Sequence, residues 1–436
     1  MAVMEATADY ETIKTTLAAA ANEHGEPHWL VERRLAALDA MQGLAVPKAD
    51  RFSIRDWPLT PTDQPLKFSR SDRTLATDVT AEAGHIQIVQ VGQTTVTVNL
   101  PDELDDQGVI LTDMFTAFRE HPQLTEKHFM GKVVKTDEDR LTSYHTAFLN
   151  AGVFLYVPKG VTVKEPIEIT TIQDSTRVQP LISHVLIVAE QDSHFAVTQH
   201  LTTKGDVDNI ANCVVEILAR ADSEVHFSAF DELGANTTAY LNRRAAISRG
   251  AKVDWAIGMM NNGNTFGDFD SELIGEGAKS DAKVITVTTK AQDVCVNTRV
   301  TNRGKKTDGN IVQRGVIMEK SNLIFNGIGH IIHGASGAHA EQENRVLMMS
   351  DDAHGDANPI LLIDENDVLA GHAASVGQID QNQMYYLMSR GIDKPQAQRL
   401  VIRGFLSTVI GAIPSKTVRT RLTNTIERKL EDGIQF

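Results

Sequence analysis

Between residues 192 and 278 the chain repeats a small-residue turn at nearly constant intervals. Asp192-Ser193 in EQDSHFAVT is answered by Asp222-Ser223 in RADSEVHFS about 30 residues on, and Gly250-Ala251 and Gly277-Ala278 follow at about 28 and 27. Each turn opens another short β-rich run, and a period in this range is what stacked β-rungs produce. An α/β crossover fold would need helices of roughly ten or more residues between the strands, and none appears. A β-sandwich also supplies many short strands with regular turns. The persistence of the repeat over several units favours a solenoid, so a mainly β protein is expected, with a right-handed β-helix core flanked by N-terminal and C-terminal helical regions.

Those flanks are legible in the period of their apolar residues. From Glu26, EPHWLVERRLAALDAMQG sets Val31, Leu35 and Leu38 at helical spacing, with Gly43 as a stop. Prolines 47, 58, 61 and 65 mark the segment from Leu44 to Val79 as a connector. Alternation begins near His85 with HIQIVQV and TTVTVNL, and a helical interlude runs from Leu111 to Phe129. In the tail, Asp380 with Gln383 reads as a capping-box-like start and Gly391 as its left-handed stop. Asp393 caps a second helix with Pro395 in its first turn, and Pro414 ends it. Ser415 caps a third, with Val418, Leu422 and Ile426 as its stripe. The expected divisions are a helical region and linker over 1–80, the β-helix over 81–363 and a helical domain over 364–436. Packing of the tail on the β-body is the ordinary expectation.

Charge and cysteine content remove several functions. The 436 residues carry a formal net charge of −15, which argues against nucleic acid and anionic membrane surfaces as partners. No apolar run is long enough to span a bilayer, and MAVMEATADY has neither the basic nor the apolar region of a secretory signal, so a cytoplasmic protein is expected. The two cysteines, Cys213 and Cys295, supply neither a disulfide framework nor four thiolates for a cluster. Cys213, in the apolar run NCVVEIL, reads as a buried structural thiol.

Local motifs offer little chemistry. GEGAKSD from Gly275 lacks the GxxxxGK[ST] spacing of a phosphate loop and precedes no helical pattern. His330, His333 and His339 in GHIIHGASGAH do not share one strand face and read as solvated. His354, Asp351 and Asp352 read as a turn. Asp268 and Asp270 in GDFDSE would lie on one face of a strand, the arrangement a β-helical carbohydrate-active enzyme could use as an acid pair. His372, in AGHAASVG, is flanked by small residues that leave room for approach, and no local partner for it is evident.

The tail carries a longer pattern. DVLAGHAASVGQIDQNQMYYLMSRGIDKPQAQRLVIRGF resembles the C-terminal signature of the SufB/SufD scaffold family of the SUF iron–sulfur assembly system, through Asp367, Val368, His372, Gly377, Gln383, Tyr386, Ser389, Arg390 and Gly391. EPHWLVERRLAALDAM and AGVFLYVPKGVTVKEPI are similar to the family's N-terminal helix and an early rung. Leu387 stands where SufB-type chains usually carry a cysteine, and Ala373 where they tend to carry glutamate, which favours the SufD side of the family. The resemblance implies a non-enzymatic subunit of a SufB–SufC–SufD complex, paired with SufB and docking the SufC ATPase on its helical tail. Tyr386, Arg390, Gly391, Leu400 and Phe405 are the tail residues expected at that dock. His372 is expected at the SufB interface as a shared ligand to iron or a nascent cluster, held transiently, with no cofactor bound stably by this chain alone. A homodimer in isolation is a further expectation.

Overall fold

A computed structural model describes residues 2–62, 66–77, 85–413 and 415–433. Its centre is a flattened β-solenoid of about eight turns, each rung giving one strand to a ten-stranded sheet and one to a nine-stranded sheet. Neighbouring rungs pair parallel and in register without a slip, as in His194↔Glu224, Glu224↔Lys252 and Lys252↔Lys279 along one wall. The repeated turns have a steric cause. Asp192, Asp222, Gly250 and Gly277 all adopt left-handed backbone, with φ of 58°, 62°, 66° and 70°. Glycine takes this region freely and aspartate is among the few side chains that tolerate it. At Gly250 a Cβ would also stand 2.3 Å from Asp222 Oδ1 in the turn before it, so the turns stack closely as well as bend.

Inward-facing residues of both walls fill the lumen with aliphatic side chains such as Val153, Ile187, Val215, Leu241, Ile257 and Val284. One buried ion pair interrupts it. The Arg243 guanidinium donates to both Asp231 oxygens, at 2.9 and 2.6 Å, and to Gln199 Oε1 at 3.1 Å.

Helices cover both outer faces. Helix His28–Met41 and the helices Met114–Glu120 and Pro122–His128 pack on the nine-stranded sheet, Leu30, Phe115, Phe118 and Phe129 meeting Phe154, Leu186, Val188 and Val214. This packing is pinned by Glu216, which projects from the sheet and accepts the backbone N–H groups of Met130 and Val134 at 2.7 and 2.9 Å. The connector supplies a strap: Ile54 and Leu59 lie over Tyr240, Phe266 and Ile324. On the opposite wall, helices Lys394–Ile410 and Lys416–Gly433 set Ile402, Leu406, Val409, Leu422 and Ile426 against Phe230, Ile285, Val287 and Val316. The tail therefore packs on the body as expected.

Three expectations need adjustment. β-Structure continues through Val368–Gly377, which pairs parallel with Ala338–Met348, so the helical tail starts at Gln381 and not at 364. The helix Gln381–Ser389 is capped by Asp380 through Asn382 N at 2.8 Å, without the reciprocal Gln383 bond of a capping box. The interlude at 111–129 opens with a strand, Ile110–Asp113, before its helices begin. Gly391 (φ 86°) and the Asp393 cap on Gln396 N follow the reading, whereas Pro414 lies outside the described residues.

The two ends of the solenoid differ. At the N-terminal end each wall closes on an antiparallel strand, Thr94–Asn99 on one and Ile110–Asp113 on the other. At the C-terminal end, Val368–Gly377 and His354–Ile363 are the outermost strands, with no described strand beyond either.

Candidate functional site

His372 sits in the middle of that uncovered terminal strand. The strand's burial alternation is lost because no rung covers it, and every residue from Leu369 to Gly377 is exposed. Its facing can still be read from register. Val368 joins Ile331, Ala338 and Ala340 in a small apolar cluster, so Val368, Ala370, His372, Ala374 and Val376 continue the inward set of the strand before. His372 thus stands over the mouth of the lumen, directly opposite Gln342 in the ladder. Small neighbours at Gly371, Ala373 and Ala374 leave it accessible. It makes no hydrogen bond or ion pair with a described residue. Around it, Leu362, Ile363, Leu369 and Val376 are exposed, Leu369 to 73%. Two unpaired strand edges with exposed aliphatics form a surface that a monomer would need to blunt.

The helical tail supplies a second region. Leu400 and Phe405 are brought together in a groove of about 650 Å³ between the tail and the last rungs, also lined by Arg314, Arg345 and Gln383. The Arg314 guanidinium lies 5.1 Å over the Phe405 ring. Tyr386 and Arg390 form a separate cation–π pair at 5.3 Å, next to the Gly391 stop. Tyr385, Tyr386 and Met388 are exposed on the first tail helix, and Leu400 is exposed at the groove.

Other candidates disperse. His330, His333 and His339 each face their own carboxylate, Asp364 at 3.1 Å, Glu365 at 3.8 Å and Asp308 at 3.0 Å. Among the described residues no group of three or more histidine, cysteine or acidic side chains could hold a metal ion. Both cysteines are buried, and burial pushes the Cys213 thiol up to about 12 and the Cys295 thiol higher still, so neither offers a thiolate.

Asp268 and Asp270 do share one strand face, but arginines occupy the space an acid pair would need for a substrate. Arg244 holds Asp268 at 3.1 Å and also binds Glu138, while Arg299 approaches Asp270 to 3.8 Å. Desolvation pushes the Asp270 carboxyl from 3.8 up to about 7. The folded state then binds this proton more tightly than the unfolded chain, so its contribution to stability falls as pH rises from 3.8 to about 7. Asp270→Asn is expected to leave stability unchanged at the acid end of that window and to raise it above pH 7, in urea unfolding followed at several pH values.

Two site neighbours were missed in the sequence, Gln342 and Asn344. Their signal is the alternation in AHAEQENRV, where Ala338, Ala340, Gln342, Asn344 and Val346 are all buried on the inward face.

Comparison with known proteins agrees with the whole-chain pattern. The SufBD core domain of SUF-system FeS cluster assembly matches residues 171–405, and the SufBD protein N-terminal region matches residues 76–169. The iron–sulfur cluster assembly protein SufD of Bacillus subtilis is 43% identical, over 94% of this chain and 96% of that protein. SufBD family proteins of Staphylococcus epidermidis and Staphylococcus haemolyticus are each 22% identical, over 94% of this chain and 91% of theirs. The Bacillus relative bears out the SufD side inferred from Leu387 and Ala373. No helix among the described residues is long and apolar enough to cross a membrane. The chain belongs to the SufB/SufD family of iron–sulfur cluster assembly proteins.

Proposed function

We propose that this chain is a non-catalytic scaffold subunit. It pairs with a SufB-type paralogue through the open end of its solenoid and docks a SufC-type ATPase on its helical tail. It offers His372 as one ligand to iron or a nascent iron–sulfur cluster shared with the paralogue. The observation that carries this reading is the uncovered terminal rung with a free, exposed histidine at its centre. Neutral imidazole is a good borderline ligand for iron. A single imidazole cannot complete a coordination sphere, so the remaining ligands must come from what covers that end. The cluster is cargo here and leaves with a recipient, which suits a site of one weak contribution over a closed resident one.

The docking assignments are separable by point changes. Deleting the tail would uncover Phe230, Ile285 and Val316, so surface substitutions are the cleaner test. Tyr386→Ala with Leu400→Asp alters exposed positions only. In co-purification with both partners this double variant is expected to lose the ATPase and keep the paralogue. Leu369→Lys, which puts a charge on the open edge, is expected to do the reverse. Retention of both partners by both variants would sink the assignment. The rival carbohydrate-active enzyme predicts turnover by the purified chain and its loss in Asp268→Asn.

A further inference from the structure

The lumen changes character in its last rungs. Along the ten-stranded wall, the inward column beneath His372 runs Gln342, Ile311, Ala282 and Trp255, and the adjacent column runs Asn344, Gln313, Val284 and Ile257. Aliphatic residues give way to amides as the open end is approached. Across the lumen, the facing strand has glycine where these amides reach it. A Cβ on Gly327 would stand 2.6 Å from Asn344 Nδ2 and 3.0 Å from Gln342 Oε1, and one on Gly329 would stand 2.6 Å from Gln342 Nε2. The opposite wall has been cut back to admit them.

These amides are incompletely satisfied. Gln342 Nε2 donates to Ile360 O at 2.9 Å, which orients the side chain, but Gln342 Oε1 is buried with no partner among the described residues. Neither polar atom of Asn344 has a partner among the described residues, although the residue is fully buried. A buried polar atom left unpaired is destabilising, and an aliphatic side chain such as Ile311 one rung below avoids that penalty. The Ile360 bond accounts for the amide nitrogen of Gln342 and leaves its oxygen without a role in the fold.

We propose that Gln342 is the positioning residue for His372, an inference that rests on the ligand role given to His372 above. Parallel in-register neighbours on one face lie about 4.8 Å apart, within reach of a side-chain hydrogen bond. His372 is the next residue up the ladder from Gln342, on the same face, with no partner among the described residues. In the described conformer the two side chains are not bonded; turning the exposed imidazole toward the lumen lets it donate Nδ1–H, the ring nitrogen nearer the backbone, to Gln342 Oε1. That bond satisfies the orphaned oxygen, fixes the tautomer and leaves the Nε2 lone pair directed out of the lumen mouth. Histidines that bind metals almost always donate their second ring N–H to an acceptor of this kind, which orients the ring and raises its basicity. The Ile360 bond holds the amide so that oxygen, and not nitrogen, is available to the ring.

Nitrogen NMR of the metal-free full-length protein, labelled at histidine and assigned with His372→Ala, reads this directly. At a pH where the ring is neutral, His372 is expected in the Nδ1–H form, whereas a histidine side chain free in water favours Nε2–H. Gln342→Leu is expected to revert His372 to the Nε2–H form, and Gln342→Glu, which keeps an acceptor, to retain Nδ1–H. Iron affinity of the assembled complex should fall about 10–100-fold in Gln342→Leu and recover in Gln342→Glu. If Gln342→Leu does not fold, Gln342→Met provides the same comparison with an unbranched side chain. An Nε2–H tautomer in the parent protein, or Nδ1–H persisting in a folded variant without the acceptor, would overturn the proposal. Cluster assembly that survives His372→Ala would refute the ligand role and leave the tautomer result standing, so the two failures are distinguishable.

Discussion

Asp231→Ala is expected to cost about 3–5 kcal/mol of folding stability, the largest loss from any single truncation considered for this chain. The reason is location. Asp231 and Arg243 belong to opposite walls and meet inside the lumen, 0% and 1% exposed. Asp231 takes two charge-assisted bonds from the guanidinium, Gln199 takes a third, and the ring of Phe269 lies 5.4 Å from it. Removing the carboxylate leaves the arginine charged, dry and held by one neutral acceptor. Arginine does not relieve this by losing its proton, because its pKa is too high. With total stabilities of about 5–15 kcal/mol, such a loss consumes a large fraction of the whole. The pair as a whole is a different matter. Asp231→Leu combined with Arg243→Met removes both charges and both desolvation costs, and is expected to be less destabilising than Asp231→Ala alone. Urea unfolding of the two variants checks this. A double variant as unstable as the single one would show that the loss comes from lumen packing and not from the uncompensated charge.

The same contrast between local and distant causes explains what could be read in advance. The rung repeat was legible because left-handed turns restrict residue type at single positions, as at Asp192, Asp222, Gly250 and Gly277. The tail helices were legible because their caps and apolar stripes are local. The Asp231–Arg243 pair was not, since nothing in either strand announces that they meet across the lumen. AGHAASVG shows no alternation of large apolar residues, so nothing in it marks Val368–Gly377 as a further rung. The structure supplies the physical reason: the outermost rung has no neighbour to bury a face against, so its sequence carries no core pattern. His372 was legible as an exposed histidine among small residues. Its relation to Gln342 needed the register, which pairs residues 30 apart in the chain. The absence of a core pattern in Val368–Gly377 is itself informative, because packing within the chain does not constrain residues this exposed.

His372→Ala is expected to lower cluster yield on the assembled complex by at least about tenfold, with the subunit's stability unchanged within about 0.5 kcal/mol. The two halves of this expectation have separate causes. The side chain is exposed, forms no bond with a described residue and fills no cavity, so folding has little to lose. If it completes a shared coordination sphere, however, removing it leaves iron with one ligand fewer at the step where retention depends on all of them. His372→Cys supplies a softer donor at the same place and is expected to keep iron binding better than His372→Gln, whose amide is a poor ligand. Co-purification should be unaffected in all three, which separates ligation from docking. Cluster reconstitution followed by absorbance, with iron and sulfide counted, gives the answer. Normal yield from His372→Ala in an intact complex would remove the histidine from the chemistry and leave the open end as a purely structural interface. A lowered yield accompanied by loss of the paralogue would instead make His372 a contact residue. Only loss of yield with every partner retained supports a ligand.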